Sequence, residues 1–138
     1  MDNQAAPDYF ELSDYVNVLR RRWRRIAATA LAGLALTTDT SVLTSIANDE
    51  SFDRVFARQI EALGNAGDVA VGISTSGSSR NVLCALDQAR SQRLATVALV
   101  GRSALAADVC VRVPSGVTAR IQEVHRTIIH VWCELIEA

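Results

Sequence analysis

The sequence predicts an α/β fold with a parallel β-sheet, and three observations support this prediction. Short segments that are apolar throughout alternate with longer segments of helical periodicity, which is the pattern of a parallel sheet covered by helices on both faces. The hydrophobic fraction of 49% in 138 residues is sufficient for the core of one domain. A loop rich in serine and threonine follows one of these apolar segments, at the strand end where parallel sheets bind ligands.

The elements are predicted in the following order along the chain. Residues 8–33 have the periodicity of one helix and carry a cluster of arginines between residues 20 and 25. A short strand at 34–37 follows, and then a helix at 41–46 with Asp39 or Thr40 as its N-cap. The remaining predicted elements are a turn at 48–51, an amphipathic helix at 52–63 ended by Gly64, and then strand 69–74, helix 79–90, strand 96–100, strand 109–114 and helix 118–137.

Charge and residue usage exclude several classes of function. The net charge of −1 gives no general attraction to nucleic acid, and no nucleic-acid partner is expected. Because the chain contains no lysine, a mechanism that uses a lysine Schiff base is excluded. Cys84, Cys110 and Cys133 are widely spaced and lie in apolar patterns, so we predict buried free thiols and a reducing, cytoplasmic location.

The most informative segment is the hydroxyl-rich loop at residues 72–79. It carries five hydroxyl side chains, Ser74, Thr75, Ser76, Ser78 and Ser79, between the apolar strand and a predicted helix. A helix N-terminus offers unpaired N–H groups and the positive end of the helix dipole, and hydroxyls donate further hydrogen bonds, so the loop predicts an anion or sugar-phosphate site. The alternative is an ordinary strand-to-helix turn in which serine and threonine only cap the helix.

Four separated blocks resemble a known family in order and spacing: residues 43–49, 55–59, 67–77 and 118–125. Over residues 34–137 the chain is similar to the sugar isomerase (SIS) superfamily and, within it, to the phosphoheptose isomerases. The resemblance implies a SIS-type three-layer αβα sandwich with a flavodoxin-like parallel sheet, and a homo-oligomer, either dimer or tetramer. It also implies conversion of sedoheptulose 7-phosphate to D-glycero-D-manno-heptose 7-phosphate through an enediol.

The same resemblance implies roles for individual residues. Ser74, Thr75, Ser76 and Ser79 match the phosphate-binding loop, and Asn48 and Asp49 match the pair that approaches the sugar hydroxyls. Gln122 and His130 match polar groups of the last helix; His130 would be a catalytic proton donor or acceptor, and both residues would be zinc ligands, as in some members. Taken alone, His130 is more typical of a core histidine whose hydrogen bonds are satisfied. Asn48 and Asp49 alone are typical of a turn. Glu123 and His125 are most simply residues of a solvent-facing or interface surface.

Part of the family pattern has no counterpart in this sequence. The resemblance implies a first strand, a Gly-Asn-Gly-Gly-Ser loop and a helix with a histidine and the general-base glutamate, but no such loop precedes Leu34 and no histidine precedes His125. We therefore expect a partial SIS domain at residues 34–138, preceded by an N-terminal helix at 1–33. Isomerisation needs both a base and an acid, so we expect weak or absent turnover by this chain alone.

The N-terminal segment allows two interpretations. Residues 11–33 resemble the cytoplasmic start of polysaccharide chain-length determinants, where an arginine-flanked helix leads into the membrane, and this favours a membrane-associated fragment of an assembly protein. The apolar run at 26–36 is shorter than the about 20 residues that span a bilayer, so we prefer an amphipathic helix that packs on protein. A third hypothesis is a non-catalytic module that only binds sugar phosphates. A fusion or truncation of two neighbouring genes would explain the composite sequence.

Overall fold

The structure is a computed structural model, and it describes residues 34–137. Its elements are helix α1 (Thr40–Asp49), a 3₁₀ helix (Phe52–Arg54), helix α2 (Ala57–Leu63), strand β1 (Val69–Ser74), helix α3 (Arg80–Ser91), strand β2 (Ala95–Val100), strand β3 (Val109–Arg112) and helix α4 (Thr118–Glu137). Residues Ala35–Cys133 form one compact unit. The predicted helix at 8–33 lies outside the described residues.

The three strands form one parallel sheet in the order β1-β2-β3. Ser74 is paired in register with Val100, and Val100 with Arg112. The carboxyl ends of all three strands therefore meet at one edge of the sheet, which is the edge where a parallel sheet binds ligands. The predicted α/β class, with a parallel sheet and flanking helices, is confirmed.

Helix α3 packs tightly against β1 because glycine stands at the crossing point. A Cβ added to Gly72 would lie 2.9 Å from Cγ1 of Val82 and 3.0 Å from Cδ1 of Leu86. Val82 and Leu86 continue into a buried cluster with Ala98, Val100 and Leu105. A second buried cluster joins α2 to α3 and is formed by Ile60, Ala85, Ala89 and Leu94. This packing sets where α3 begins relative to the end of β1.

Hydrogen bonds between Thr96 and Asp108 connect β2 to β3 at the amino ends of these strands. The carboxylate of Asp108 accepts hydrogen bonds from the Thr96 N–H at 2.7 Å and from Oγ1 of Thr96 at 2.8 Å, and Oγ1 accepts from the Asp108 N–H at 3.0 Å. The hydrogen bond from the Thr96 backbone, followed by that from its hydroxyl, holds the pKa of Asp108 below its ordinary value of 3.8. The start of β2 is thereby tied to the residue that precedes β3.

Two predicted elements near the N-terminal end of the described chain are wrong. The expected strand at 34–37 is a turn, because both N–H and Oγ1 of Thr38 donate to the carbonyl of Ala35, at 3.2 and 2.9 Å. The expected turn at 48–51 begins later, because α1 continues to Asp49. The alternative of Asp39 as N-cap is confirmed, since its side chain accepts from the Val42 N–H at 3.0 Å.

The expected continuous helix at 52–63 is also wrong. It is divided into the 3₁₀ helix and α2. The side-chain amide of Gln59 donates to the Val55 carbonyl at 2.8 Å, the acceptor that a continuous helix would offer to the Gln59 N–H. The same amide donates to the Leu36 carbonyl at 2.9 Å. The Gln59 side chain therefore takes the place of a backbone hydrogen bond to Val55 and connects α2 to the segment that precedes α1.

The two faces of β1 differ in exposure within residues 34–137, whereas Leu99, which pairs with Ile73 on the neighbouring strand, is fully buried. Alternate residues of a strand face opposite sides, and Ala70, Gly72 and Ser74 occupy the more buried positions. Val69, Val71 and Ile73 on the other side of β1 are 60%, 47% and 47% exposed. In the part of the chain that the structure describes, no helix is long and apolar enough to cross a bilayer.

Candidate functional site

The hydroxyl loop, residues 74–79, connects the end of β1 to the start of α3. Ser74 is the last residue of β1, and Ser79 is the N-cap of α3. Gly77 has a φ of +70°, a left-handed conformation that favours glycine, and it lets the chain turn back between the two elements. The loop thus lies at the carboxyl edge of the sheet, as the sequence predicted.

The side chain of Ser74 organises this loop from inside. Ser74 is only 4% exposed, and its Oγ lies 2.9 Å from Oγ of Ser79 and 3.3 Å from Oγ of Ser76. The same oxygen accepts the N–H of Gly77 at 3.1 Å. Ser74 therefore has most of its hydrogen-bonding capacity occupied within the loop, and its primary role here is to orient the other hydroxyls.

The remaining hydroxyls lie nearer the surface. Ser76 and Ser78 are exposed, and Thr75 and Ser79 are half-buried. Oγ of Ser76 accepts from both the N–H and the hydroxyl of Ser78, at 3.2 and 3.1 Å. The Ser79 side chain makes no capping hydrogen bond to α3, so the interpretation of the loop as an ordinary serine cap does not describe this helix. Oδ1 of Asn81 accepts the Val82 N–H at 2.9 Å, but the N-cap side chain leaves the other N–H groups of the first turn free, and these together with the exposed hydroxyls suit an anion.

The segment from Gly101 to Ser103, which follows β2, contacts the hydroxyl loop and is called the backing segment. A Cβ on Gly101 would lie only 2.3 Å from the carbonyl oxygen of Thr75, and a Cβ on Gly77 would lie 3.0 Å from the carbonyl oxygen of Ser103. The two loops are therefore in backbone contact at both places. A side chain at Gly101 would push the hydroxyl loop out of its present position.

Arginines begin or end three of the elements at this edge of the sheet. Arg80 opens α3 and pairs with Asp53 at 3.0 Å, and Arg120 in the first turn of α4 pairs with Glu123 at 2.9 Å. Arg112 ends β3, and within residues 34–137 it contacts no carboxylate; its guanidinium donates to a backbone carbonyl instead. The charge of Arg112 is thus not neutralised by a carboxylate within these residues, and it favours an anionic ligand nearby.

Asn48 and Asp49 lie next to each other in the last turn of α1, and both are exposed. Nδ2 of Asn48 donates to Oδ1 of Asp49 at 3.0 Å, and Oγ of Ser45 donates to the other carboxylate oxygen at 3.3 Å. Within the described residues, no hydrogen bond joins this pair to the hydroxyl loop. Their role towards sugar hydroxyls therefore remains a prediction.

The burial of the two histidines on α4 is the opposite of what their interpretation from the sequence alone predicts. His130 is exposed, so its interpretation as a core histidine is wrong, whereas His125 is 3% exposed and packs inside. Gln122 is also exposed. His130 lines an open cleft of about 270 Å³ together with Glu123, Arg126 and Thr127. This cleft does not include Gln122, which is eight residues away and so about 12 Å along the helix axis.

The predicted zinc ligands do not by themselves complete a metal site. A catalytic zinc ion is normally held by three protein ligands and a structural one by four. Among residues 34–137, no group of three His, Cys, Asp or Glu side chains is close enough to hold a metal. Gln122 and His130 could supply two ligands at most.

The cysteine prediction is partly wrong. All three thiols are free, but Cys133 is exposed and Cys84 and Cys110 are only half-buried. The apolar pattern of α4 misled the prediction, because Cys133 lies off the buried stripe that includes Ile121 and His125.

The expectation that His125 is solvent-facing is wrong, and its spacing of four residues from Ile121, on the same helix face, could have predicted its burial. Other residues with clear structural roles were not singled out from the sequence. The contacts of Gln59, of Thr96 with Asp108 and of Arg112 had no local signal. Each joins segments that are far apart in sequence or depends on a particular side-chain rotamer.

Comparison with known proteins agrees with this geometry. The SIS domain family matches residues 22–101. The chain is 54% identical over 137 residues to the phosphoheptose isomerase of Roseiflexus sp. (strain RS-1), an alignment that covers 96% of the chain and 67% of the relative. It is 54% identical over 125 residues to the phosphoheptose isomerase of Paramagnetospirillum magneticum, covering 88% of the chain and 64% of the relative.

A solved structure supports the same relationship. The phosphoheptose isomerase GmhA from Neisseria gonorrhoeae superposes with a TM-score of 0.72 at 51% identity, over 75% of this chain and 61% of that one. The parallel sheet and the loop after β1 thus define a SIS-domain α/β protein. Within that class, the chain belongs to the phosphoheptose isomerase family, which confirms the resemblance found in the sequence.

Two facts qualify the extent of the match. The chain spans about two thirds or less of the length of these relatives, between 61% and 67%. The SIS match also begins at residue 22, within the segment that resembles chain-length determinants. The domain boundary at residue 34 remains a prediction.

Proposed function

We propose that this chain binds the phosphate group of a sugar phosphate at the hydroxyl loop and provides part of a phosphoheptose isomerase site. The observation that carries the proposal is the loop itself, whose hydroxyls converge around Ser74 at the uncapped start of α3. Membership in the phosphoheptose isomerase family supports sedoheptulose 7-phosphate as the substrate and D-glycero-D-manno-heptose 7-phosphate as the product.

The loop offers the groups that a phosphate monoester needs. The hydroxyls of Thr75, Ser76 and Ser79 can donate to phosphate oxygens, while Ser74 holds them in position. The N–H groups at the start of α3 and the helix dipole favour the negative charge. The segment from Gly101 to Ser103 contacts the loop backbone at Thr75 and Gly77 and so limits its movement.

The isomerisation moves a carbonyl from C2 to C1 of the sugar. A base removes a proton from C1, an enediol forms, and a proton returns to C2. In the same process the hydroxyl on C1 loses its proton and the carbonyl oxygen on C2 gains one. His130 is the proposed proton donor or acceptor, and Asn48 and Asp49 the proposed contacts to sugar hydroxyls. Zinc remains only an implication of the resemblance: Gln122 and His130 lie about 12 Å apart along α4 and would need further ligands to hold a metal ion.

The general base has no counterpart among the residues assigned here. We therefore propose that this chain alone binds the substrate but turns it over slowly or not at all. We further propose that it works as a cytoplasmic homo-oligomer. The exposed apolar residues Val69, Val71 and Ile73 on β1 support an association through protein surface.

Binding can be tested by calorimetric titration with sedoheptulose 7-phosphate and with unphosphorylated sedoheptulose. We expect saturable binding of the phosphate ester only, and loss of most of it in the double variant Ser76→Ala with Ser79→Ala. Ser91→Ala, which removes an exposed hydroxyl from the other end of α3, is the matched control and should bind as the unmodified protein does. Equal binding of both sugars would refute the phosphate site.

Turnover is measured separately, by detection of the aldose product. Binding without product supports a subunit or module that lacks the base, and rapid turnover by the pure chain would contradict our assignment of the missing base. Association can be followed by size-exclusion chromatography with light scattering, in which a monomer at all concentrations would refute the homo-oligomer.

A further inference from the structure

Two side chains hold the backbone on either side of Gly101. Nε2 of His125, on α4, lies 3.2 Å from the carbonyl oxygen of Val100. Nε of Arg112, at the end of β3, donates to the carbonyl oxygen of Arg102 at 3.0 Å, and its Nη2 donates to the same oxygen. The carbonyls before and after Gly101 are therefore both bound by side chains from other elements.

This position of Gly101 determines where the hydroxyl loop can lie. The backbone of Gly101 is in contact with the Thr75 carbonyl, and Ser103 is in contact with Gly77. The contacts are backbone to backbone, so neither loop can move toward the other without a clash. Movement away is limited by the hydrogen bonds from His125 and Arg112. The backing segment is thus held in place from its far side.

His125 has a feature that stability alone does not explain. Because a carbonyl only accepts hydrogen bonds, Nε2 must carry the proton, which leaves Nδ1 as an acceptor. Nδ1 is buried and has no hydrogen-bond partner among residues 34–137. A buried acceptor without a donor destabilises a folded protein, and an apolar side chain of similar size would avoid that loss.

The Val100 carbonyl does not need His125 to be satisfied. It already accepts the N–H of Val113 at 2.9 Å, which continues the pairing of β2 with β3. The imidazole therefore adds a second hydrogen bond to the Val100 carbonyl oxygen, which is already paired, and leaves its own Nδ1 unpaired among these residues. What it adds is a fixed direction for the peptide that leads into Gly101.

We propose that His125 and Arg112 are positioning residues that hold the segment from Gly101 to Ser103 against the hydroxyl loop and so set its geometry for a phosphate ester. The proposal rests on the proposed function only for the identity of the ligand. The proposal requires no contact between either residue and the phosphate. Both act through the backbone contacts at Thr75 and Gly77.

The test uses paired variants of each residue in the full chain. His125→Leu removes the donor, and His125→Gln keeps an N–H near the position of Nε2. Arg112→Met removes the donors, and Arg112→Lys keeps one. Arg93→Met removes the same charge from an exposed position before β2, at the opposite end of that strand, and is the control for net charge.

Two readouts are taken for every variant: the affinity for sedoheptulose 7-phosphate and the hydrogen-exchange rate of the Gly77 amide without ligand. We expect His125→Leu and Arg112→Met to bind about tenfold more weakly and to exchange Gly77 about tenfold faster, as for the loss of one supporting hydrogen bond. His125→Gln should restore both readouts to within about threefold of the unmodified protein, and Arg93→Met should change neither.

Thermal unfolding separates positioning from simple stabilisation. His125→Leu should unfold at the same temperature or higher, because it removes the unpaired nitrogen. If its affinity and Gly77 exchange are unchanged, or change only in proportion to a lower unfolding temperature, the proposal is wrong. If the unmodified chain does not bind the sugar phosphate, the proposed function fails, and Gly77 exchange in the unliganded variants still decides whether these residues position the loop.

Discussion

Oγ of Ser74 lies 2.9 Å from Oγ of Ser79, so the last residue of β1 is hydrogen-bonded directly to the N-cap residue of α3. Strand and helix are also packed together at Gly72, two residues earlier. The start of α3 is therefore held by a polar contact at the loop and by an apolar contact beneath it. A site built this way has a fixed geometry before any ligand arrives, which lowers the entropic cost of binding.

The first prediction concerns Ser74→Ala. The change removes a buried hydroxyl that bonds Ser76, Ser79 and the Gly77 N–H. We expect it to lower the free energy of unfolding by about 1–3 kcal/mol, because the Gly77 N–H and two hydroxyls lose a partner. Urea unfolding followed by circular dichroism measures the difference, and calorimetry should show a weaker affinity for sedoheptulose 7-phosphate.

Ser78→Ala provides the comparison for Ser74. Ser78 is exposed and bonds only Ser76 within the described residues. Its substitution should change stability by less than about 0.5 kcal/mol, as for most surface positions. Equal destabilisation by the two variants would show that Ser74 does not organise the loop.

The second prediction concerns Gly101→Ala. The added methyl group would lie 2.3 Å from the Thr75 carbonyl oxygen and 2.9 Å from Cδ1 of Ile121. Relief of this overlap requires the backbone to shift, at about 1–3 kcal/mol of stability. Sugar-phosphate affinity should fall because the hydroxyl loop is displaced.

Gly116→Ala is the matched control for that experiment. A Cβ at Gly116 would meet only the Arg102 guanidinium, at 3.6 Å or more, which is an ordinary contact. This variant should fold and bind as the unmodified protein does. If Gly101→Ala were equally harmless, the contact between the two loops would not support the site.

The third prediction concerns the pH dependence of stability that arises from Asp108. Its pKa in the folded chain lies below the ordinary value of 3.8, chiefly because the Thr96 N–H and hydroxyl donate to the carboxylate. A carboxyl group with a lowered folded pKa contributes stability above its unfolded pKa and loses it as the pH falls through the folded pKa. The contribution should therefore be constant above about pH 5, begin to fall near the ordinary pKa and be lost once the pH is below the lowered folded pKa.

Thr96→Val and Thr96→Ser test this assignment as a pair. Both substitutions alter a fully buried side chain, but only serine keeps the hydroxyl that donates to Asp108. Urea unfolding at a series of pH values between about 2.5 and 6 covers the window in which the contribution changes. The valine variant should lose part of the acid sensitivity and the serine variant should retain it. Identical pH profiles for valine and serine would exclude the hydroxyl as a cause.

The fourth prediction concerns thiol reactivity. Cys133 is exposed, whereas Cys84 and Cys110 are half-buried. A water-soluble alkylating reagent should modify Cys133 first in the native protein and reach the other two after unfolding. Mass spectrometry of timed digests locates the modification. Faster labelling of Cys84 or Cys110 would contradict the exposure of Cys133 described here.

Strong local patterns allowed much of the fold to be predicted from sequence. Strand β1 and helix α4 have the predicted bounds, because a continuous apolar run and a long helical periodicity each specify one structure. The serine-rich loop could also be located, since its residue types directly follow the strand. What the pattern could not show is that Ser74 points inward and organises the others.

The errors arose where contacts distant in sequence decide the structure. Gln59 interrupts the helix predicted at 52–63 by bonding Leu36, 23 residues earlier. The ring of His125 reaches the Val100 carbonyl, 25 residues earlier. The helix face that His125 shares with Ile121 could have predicted its burial, but neither of these two hydrogen bonds leaves a signal in its own segment. A single sequence therefore predicts which elements form more readily than which polar side chains connect them.

The central claim is that the hydroxyl loop receives the phosphate of a sugar phosphate. The most direct test is a titration with sedoheptulose 7-phosphate followed by amide chemical shifts in ¹H–¹⁵N spectra. The account predicts saturable shifts concentrated at Ser76 to Asn81, which unphosphorylated sedoheptulose does not produce. Shifts that are absent from this loop, or that the unphosphorylated sugar reproduces, would contradict it.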